Sequence, residues 1–344
     1  MKAKLITLFL GVMILSMSDT VLGQQLYLTG YVVQHNSDII GKVLSRQGEV
    51  ISVALDGKDA ALFSVGKDNV LHLKKSKLKG SQDRLEIKVK ASTAGGENVS
   101  SFVIVRDGFI HNRVVAHRGA WKNTGAPENS IASLRHAIRL GCEGSEFDVH
   151  MSSDSLPVVN HDNAIQGVSI ARTPATELLK ISLSNGEPMP VLEAYLKAGM
   201  EQLKTKLILE IKSSELGKES SIALTRKVVA LVESLHAQAW VDYIAFDFDV
   251  CKEVMRIAPY AKVAYLNGDK SPEELAADHF FGLDYHFKVI QKNPDWVSDA
   301  HARRLTVNVW TVNDTELMKD LLKQNVEFIT TNEPEVLLEL VGKK

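Results

Sequence analysis

The sequence predicts an α/β protein in which a (β/α)8 TIM barrel is preceded by a small all-β sandwich domain. Three observations carry this reading. Apolar residues alternate with period two in short runs between about residues 25 and 110. From Val114 onward, strand-like runs alternate instead with helical ones. The polar residues able to do chemistry stand where several different strand-like runs end. A barrel gathers such ends at its C-terminal face, whereas an open doubly wound sheet draws on fewer of them.

The N-terminus reads as a signal peptide over residues 1–23. Lys2 and Lys4 supply positive charge, residues 5–17 form an apolar run, and Gly23 offers a small residue for cleavage. The run is short for a bilayer-spanning helix, so export to the periplasm or the outside is expected, with no stable membrane span after processing. Residues 24–110 follow as the sandwich domain. Residues 27–33, 49–55 and 85–89 alternate, residues 102–105 read as a last strand, and Asp56-Gly57 and Ala94-Gly95-Gly96 are turn signals, the first of the hairpin kind. The order of these strands loosely resembles a cadherin-like sandwich, without the acidic calcium motifs. A structural spacer is the expected role, a surface-binding module the alternative.

Residues 111–344 form the barrel. Strands are expected at residues 114–116, 145–149, 207–211, 243–246, 262–266, 282–285, 306–310 and 327–330. Ile131, Leu134 and Ile138 recur at helical spacing, with Gly141 placed to stop that helix. Asn313-Asp314-Thr315 precedes another helix as its N-cap region. Hydrophobic residues make up 45% of the 344, enough to bury a sizeable core. Forty basic residues against 42 acidic ones give no sign of the basic face that a nucleic-acid partner would need. Cys142 and Cys251 are expected as buried free thiols. The oligomeric state is left open.

Glu146 and Asp148 lie two apart on a strand, so both face one way. With Glu210 from the neighbouring strand they make an oxygen-rich set that suits one hard divalent ion, Mg²⁺ or Ca²⁺. Arg118 fits bidentate contact with a phosphate and Lys212 a point-charge contact. His117 and His161 titrate near neutrality and can share proton transfer. Glu128 and Asn129 are supporting candidates that either hydrogen-bond the mouth or begin the helix after the first strand, and Asp162 either orients His161 or caps a turn. Trp310 either walls the substrate or fills the barrel, and His150, which shares the face of Asp148, reads as a bystander or as support for the site.

The chain resembles the glycerophosphodiester phosphodiesterase family from about Val114 to Pro334. The resemblance lies in His117-Arg118-Gly119, Pro127-Glu128-Asn129-Ser130, Glu146-Phe147-Asp148-Val149, Pro157-Val158-Val159, His161-Asp162, Glu210-Ile211-Lys212 and Trp310-Thr311-Val312-Asn313. It implies a TIM barrel that hydrolyses a small-molecule glycerophosphodiester to glycerol phosphate and an alcohol. It also implies Glu146, Asp148 and Glu210 as metal ligands and His117 with His161 as the acid–base pair. The nucleophile is either a metal-activated water or a glycerol hydroxyl. Two departures stand out. Ala245-Phe246 replaces a serine-phenylalanine pair, and Thr331-Asn332-Glu333-Pro334 replaces a Thr-Asp pair with a nearby proline. Rival readings are action on lysophospholipids or surface-polymer phosphodiesters, and a non-catalytic surface-binding protein. Substrate cover is expected from short loops or from the N-terminal domain.

Overall fold

The computed structural model describes residues 24–78 and 82–342. The signal peptide expected at residues 1–23 lies outside the described residues.

Eight strands make the N-terminal all-β region: β1 Leu26–Leu28, β2 Val32–Val33, β3 Ile39–Ser45, β4 Val50–Asp56, β5 Phe63–Val65, β6 Val70–Leu73, β7 Arg84–Thr93 and β8 Gly96–Arg106. They form two four-stranded sheets, ordered β1-β3-β6-β5 and β2-β8-β7-β4. β7 shows why. Leu85, Ile87, Val89 and Ala91 are buried while Arg84, Glu86 and Lys88 are exposed, so one face meets the other sheet. Ala94-Gly95 turns the chain from β7 into β8, which pairs with it along its whole length. Asp56-Gly57 does not close a hairpin, contrary to expectation. Asp56 pairs with Lys88 of β7, and the chain beyond Gly57 crosses to the other sheet through a 3-10 turn at Ala60–Leu62. The segment expected as one strand over residues 27–33 is broken at Thr29–Tyr31, where the chain leaves one sheet for the other.

The barrel starts with β9 Val114–Ala116 and β10 Gly144–Met151. A side excursion follows, with β11 Pro157–Val159 antiparallel to β10 and a small hairpin of β12 Ala164–Ile165 and β13 Val168–Ser169. The remaining barrel strands are β14 Lys206–Ile211, β15 Val241–Ala245, β16 Val263–Tyr265, β17 Gly282–His286, β18 Thr306–Trp310 and β19 Phe328–Thr331. Each pairs in parallel with the next, and β19 returns to β9, so the eight-stranded sheet is closed and has no edge. This is the fold class expected from the sequence.

The helix Ile131–Leu140 shows the local control. The Ser130 hydroxyl accepts from the Ser133 N–H at its start. Gly141 ends it at φ +80, a conformation that costs a side-chain-bearing residue more than glycine. Asp314 likewise caps the helix Thr315–Lys323. Cys142 and Cys251 are buried free thiols.

The sandwich packs against the barrel at the N-terminal ends of its strands. Arg46 pairs with Glu233 at 2.7 Å and donates to the Ile257 carbonyl at 2.6 Å, while Tyr31 stacks edge-on against Tyr260 at 5.1 Å. Arg84 covers the Trp240 ring at 4.9 Å and bonds the Met200 carbonyl. Glu233, Ile257, Trp240 and Met200 all lie where helices end, just before the next strand begins. The sandwich is therefore on the floor of the barrel and does not cover its mouth.

Arg46 and Glu233 are 12% and 2% exposed, and Glu233 also accepts from the Gln24 N–H and the Tyr260 hydroxyl. Removing one partner strands a buried charge. Glu233→Ala should destabilise the folded protein by about 3–5 kcal/mol in urea unfolding. A loss below about 1 kcal/mol would show that the junction does not depend on this pair.

Candidate active site

Barrel strands present alternate residues to the axis. Glu146 and Asp148 share that face on β10, and the register places Asp148 beside Glu210 of β14. Carboxylate oxygens of Glu146, Asp148 and Glu210 all lie within 4.8 Å of one another, and all three residues are buried. Hard cations take such all-oxygen sets. One oxygen of Glu146, Oε1, has no hydrogen-bond partner among the described residues, so a ligand position points inward without protein to satisfy it. The donor set therefore fits a divalent ion.

The electrostatics agree. Burial, with the charges of Asp148 and Glu210, holds Glu146 well above the usual carboxylate range. Burial and the Asp148 charge push Glu210 up to about 8. Asp148 behaves differently. Burial opposes its charge, but Lys212, His161, Asn129 and Arg118 outweigh burial and hold it low. Lys212 lies 3.2 Å from Asp148 and 2.8 Å from Glu210. Burial resists its charge as well, but the two acids keep its ammonium protonated.

The turn after β9 builds the other wall. Arg118 has φ +56, an uncommon conformation for a non-glycine residue, and its N–H donates to Glu146 Oε2 at 2.8 Å. Its guanidinium reaches both oxygens of Glu128 at 3.0 Å and sits 3.7 Å from Asp148. Gly119 follows at φ +78, where a Cβ would stand 2.4 Å from Ser133 Oγ. Only glycine lets the turn lie this close to the helix behind it.

Of its two expected roles, Asn129 takes the supporting one. Its Nδ2 donates to Asp148 Oδ2 at 2.8 Å, and its Oδ1 accepts from the Asp148 N–H at 3.1 Å. Ser130 is the cap. Glu128 orients Arg118.

His117 stands at the end of β9. Its Nδ1 is 2.8 Å from Asn332 Oδ1, and its Nε2 faces Glu146 at 4.0 Å. Burial and the Arg118 charge push it down to about 4, so the ring is neutral at physiological pH. His161 lies on the loop after β11, with Nδ1 2.7 Å from Asp162 Oδ1. His150 is more than a bystander, because its Nε2 contacts the His161 carbonyl at 3.0 Å and so steadies that loop. Trp310 is anchored by its indole N–H on the Asp284 carbonyl at 2.8 Å. It meets Phe246 and His286 edge-on at 5.5 and 5.2 Å. Phe246 is 38% exposed, so this aromatic group lines the mouth as well as filling the barrel.

The motif reading missed Asn332. Its signal was present in the Thr331-Asn332-Glu333-Pro334 departure, but only the closure of β19 onto β9 brings that segment to His117.

A closed parallel barrel gathers three buried carboxylates, Arg118, Lys212 and two histidines at its C-terminal mouth, a set suited to chemistry on a phosphorylated substrate. The model of the glycerophosphoryl diester phosphodiesterase family matches residues 117–336, and the chain belongs to that family. A glycerophosphodiester phosphodiesterase of Caldanaerobacter subterraneus is 27% identical over 247 residues, covering 67% of this chain and 98% of its own. A crystal structure of a glycerophosphodiester phosphodiesterase from Parabacteroides distasonis is 44% identical with a TM-score of 0.66, covering 69% of this chain and 98% of its own. An Oleispira antarctica phosphodiesterase, solved with the product sn-glycerol-3-phosphate, shares the fold at 24% identity and a TM-score of 0.56, over 67% of this chain and 97% of its own. The protein is an enzyme of the phosphoric diester hydrolase class.

Two outcomes follow from this geometry. Asn129→Ala should weaken Mg²⁺ or Ca²⁺ binding about 10- to 100-fold in calorimetric titration, because Asp148 loses its orienting bonds. Unchanged affinity would remove Asn129 from the site.

The second concerns pH. A carboxyl whose folded pKa is raised stabilises the fold while protonated, and that contribution is lost as pH rises from 4.5 toward about 8 for Glu210. Bound metal replaces the proton. At one fixed metal concentration, the stabilisation conferred by divalent metal on chelator-treated protein should therefore be larger at pH 8, about 2.7 kcal/mol where that concentration is a hundredfold above Kd, than at pH 5. Equal increments in thermal melts at both pH values would contradict the carboxylate assignment.

Proposed function

We propose that this enzyme hydrolyses glycerophosphodiesters to glycerol phosphate and an alcohol, with Glu146, Asp148 and Glu210 holding one divalent ion, Mg²⁺ or Ca²⁺. The observation that carries the reading is the cluster of three buried carboxylates within 4.8 Å, flanked by Arg118, Lys212 and two histidines, in a chain of this family. When bound, such an ion would neutralise charge on phosphoryl oxygens and would make a water or a glycerol hydroxyl beside it more acidic.

The remaining work falls to the chain itself. Arg118, its guanidinium fixed by Glu128, and Lys212, held between Asp148 and Glu210, face the phosphate with positive charge. The Asn332 Oδ1 accepts from His117 Nδ1, which leaves Nε2 as the basic nitrogen toward the site. A neutral ring with an amide partner suits the general base. The partner of His161 is the Asp162 carboxylate, which orients the ring for proton donation to the leaving alkoxide. Trp310 and Phe246 form an apolar wall for the carbon skeleton of the substrate.

The N-terminal charges and apolar run support export to the periplasm or beyond. The pair of four-stranded sheets supports a cadherin-like reading of the sandwich, with a structural role at the barrel floor.

The deciding experiment measures glycerol 3-phosphate release from glycerophosphocholine, with chelator and then with added Mg²⁺ or Ca²⁺. Release that stops with chelator and returns with metal is expected. His117→Ala and His161→Ala should each lower kcat about 10²- to 10⁴-fold without unfolding the protein. His161→Ala should lose much less on a p-nitrophenyl phosphodiester, whose leaving group needs no proton. An active His117→Ala enzyme would sink the base assignment, and equal losses on both substrates would sink the acid assignment.

A further inference from the structure

The floor of the barrel holds a cavity. It occupies about 430 Å³ where the N-terminal strand ends meet the sandwich. Barrels of this fold are normally filled along the axis by layers of bulky branched side chains. Here Gly144, Ala264 and Thr306 stand on the inward face around the cavity. A Cβ on Gly144 would already lie 3.1 Å from Ile208 and Val115, so this position stays small. Ile208 and Ala264 keep partial exposure although they face the barrel axis.

Four buried polar atoms on residues lining this cavity have no hydrogen-bond partner among the described residues. They are Asp284 Oδ1, the Tyr243 hydroxyl and both amide atoms of Gln238. Their residues are 2%, 2% and 8% exposed. Such groups are costly to leave unpaired and call for a partner. Asp284 points inward on β17, and only the Asn308 amide offsets its burial. Charge gives the class of partner. Asp107, Glu143, Asp242 and Asp284 line the cavity with His111 and two lysines; Asp107 and Glu143 pair with His111 and Asp242 with Lys206, so Asp284 is the acid with no ion-pair partner among the described residues. Lys206 is committed to Asp242 and the Ala239 carbonyl, and Lys262 lies over the Phe281 ring. The charge left inside is negative, and the remaining wall mixes aromatic rings, among them Tyr31 and Tyr260 at 5.1 Å, with aliphatic side chains such as Val115, Ile208 and Leu283. The exposed residues Thr29, Gln34 and Lys262 give the cavity a rim open to solvent.

We propose that this floor cavity is a ligand site separate from the mouth, and that it takes a small aliphatic ammonium compound of the amino-alcohol class. The ammonium group pairs with Asp284, and the hydroxyl meets the unpaired polar groups of the wall. The sandwich then has a defined role, since it closes one side of the site.

The test is calorimetric titration of ethanolamine and choline into the full chain as it folds after export, with crystals soaked in the same compounds. Saturable one-to-one binding is expected, with density at the barrel floor. Asp284→Asn should weaken it at least tenfold, and Ala264→Leu, which fills the cavity without touching a charge, should abolish it. Thermal melts show whether each variant is folded, and the two act independently if one is not. Four results would overturn the proposal: no saturable binding, equal affinity for uncharged propane-1,2-diol, affinity unchanged in both variants, or binding lost in Glu146→Gln but kept in Asp284→Asn. The last would place the compound at the mouth.

Discussion

Three carboxylates forced together in a low-dielectric barrel mouth are the constraint from which the rest of this molecule follows. Like charges this close cannot all ionise without compensation, and burial raises the cost further. The fold responds in kind. Lys212 sits between two of the acids, the Arg118 N–H meets a third, and Asn129 donates to Asp148. These groups leave Glu146 and Glu210 raised and only Asp148 low. The compensation is incomplete in the protein alone, which is the condition under which a site retains affinity for a cation.

That demand reaches into the backbone. Arg118 is held at positive φ so that its N–H can point at Glu146, and Gly119 beside it has no room for a side chain against Ser133. Asn129 is also at positive φ, and its N–H returns to the Arg118 carbonyl at 2.9 Å. Strain at such positions persists only where the surroundings over-determine it. Here the helix Ile131–Leu140, capped at both ends, provides the fixed support. The unusual conformations thus cluster where the carboxylates need donors.

How far the sequence alone leads depends on the range of the interaction. The barrel strands were legible because each is a short apolar run with polar residues at its end, and because two-residue spacing puts Glu146 and Asp148 on one face whatever the wider fold. Helix punctuation was legible for the same local reason at Ser130, Gly141 and Asp314. What stayed hidden is long-range. Asn332 is 215 residues from His117 in the chain, and only barrel closure joins them. Asn129 was legible as a supporting residue but not separable from a cap, because a cap residue and an orienting amide carry the same local signature. Asp56-Gly57 looked like a hairpin because a dipeptide cannot tell a turn within a sheet from a crossing between sheets.

The position of the sandwich is the clearest case of this limit, and it changes what the domain can do. Its strands predict a two-sheet unit but not the end of the barrel on which it sits. That choice is made by Arg46 finding Glu233 and by Tyr31 finding Tyr260, contacts between residues far apart in sequence. With the sandwich on the floor, the mouth is bordered by its own loops, among them the β12–β13 hairpin, tied to the loop after β14 by Ser169 and Arg172 on Glu215. The aromatic side chains at the mouth, Trp310 and Phe246, come from the barrel itself. The sandwich acts at the opposite end, where the small inward residues Gly144 and Ala264 would otherwise leave the barrel axis open to solvent.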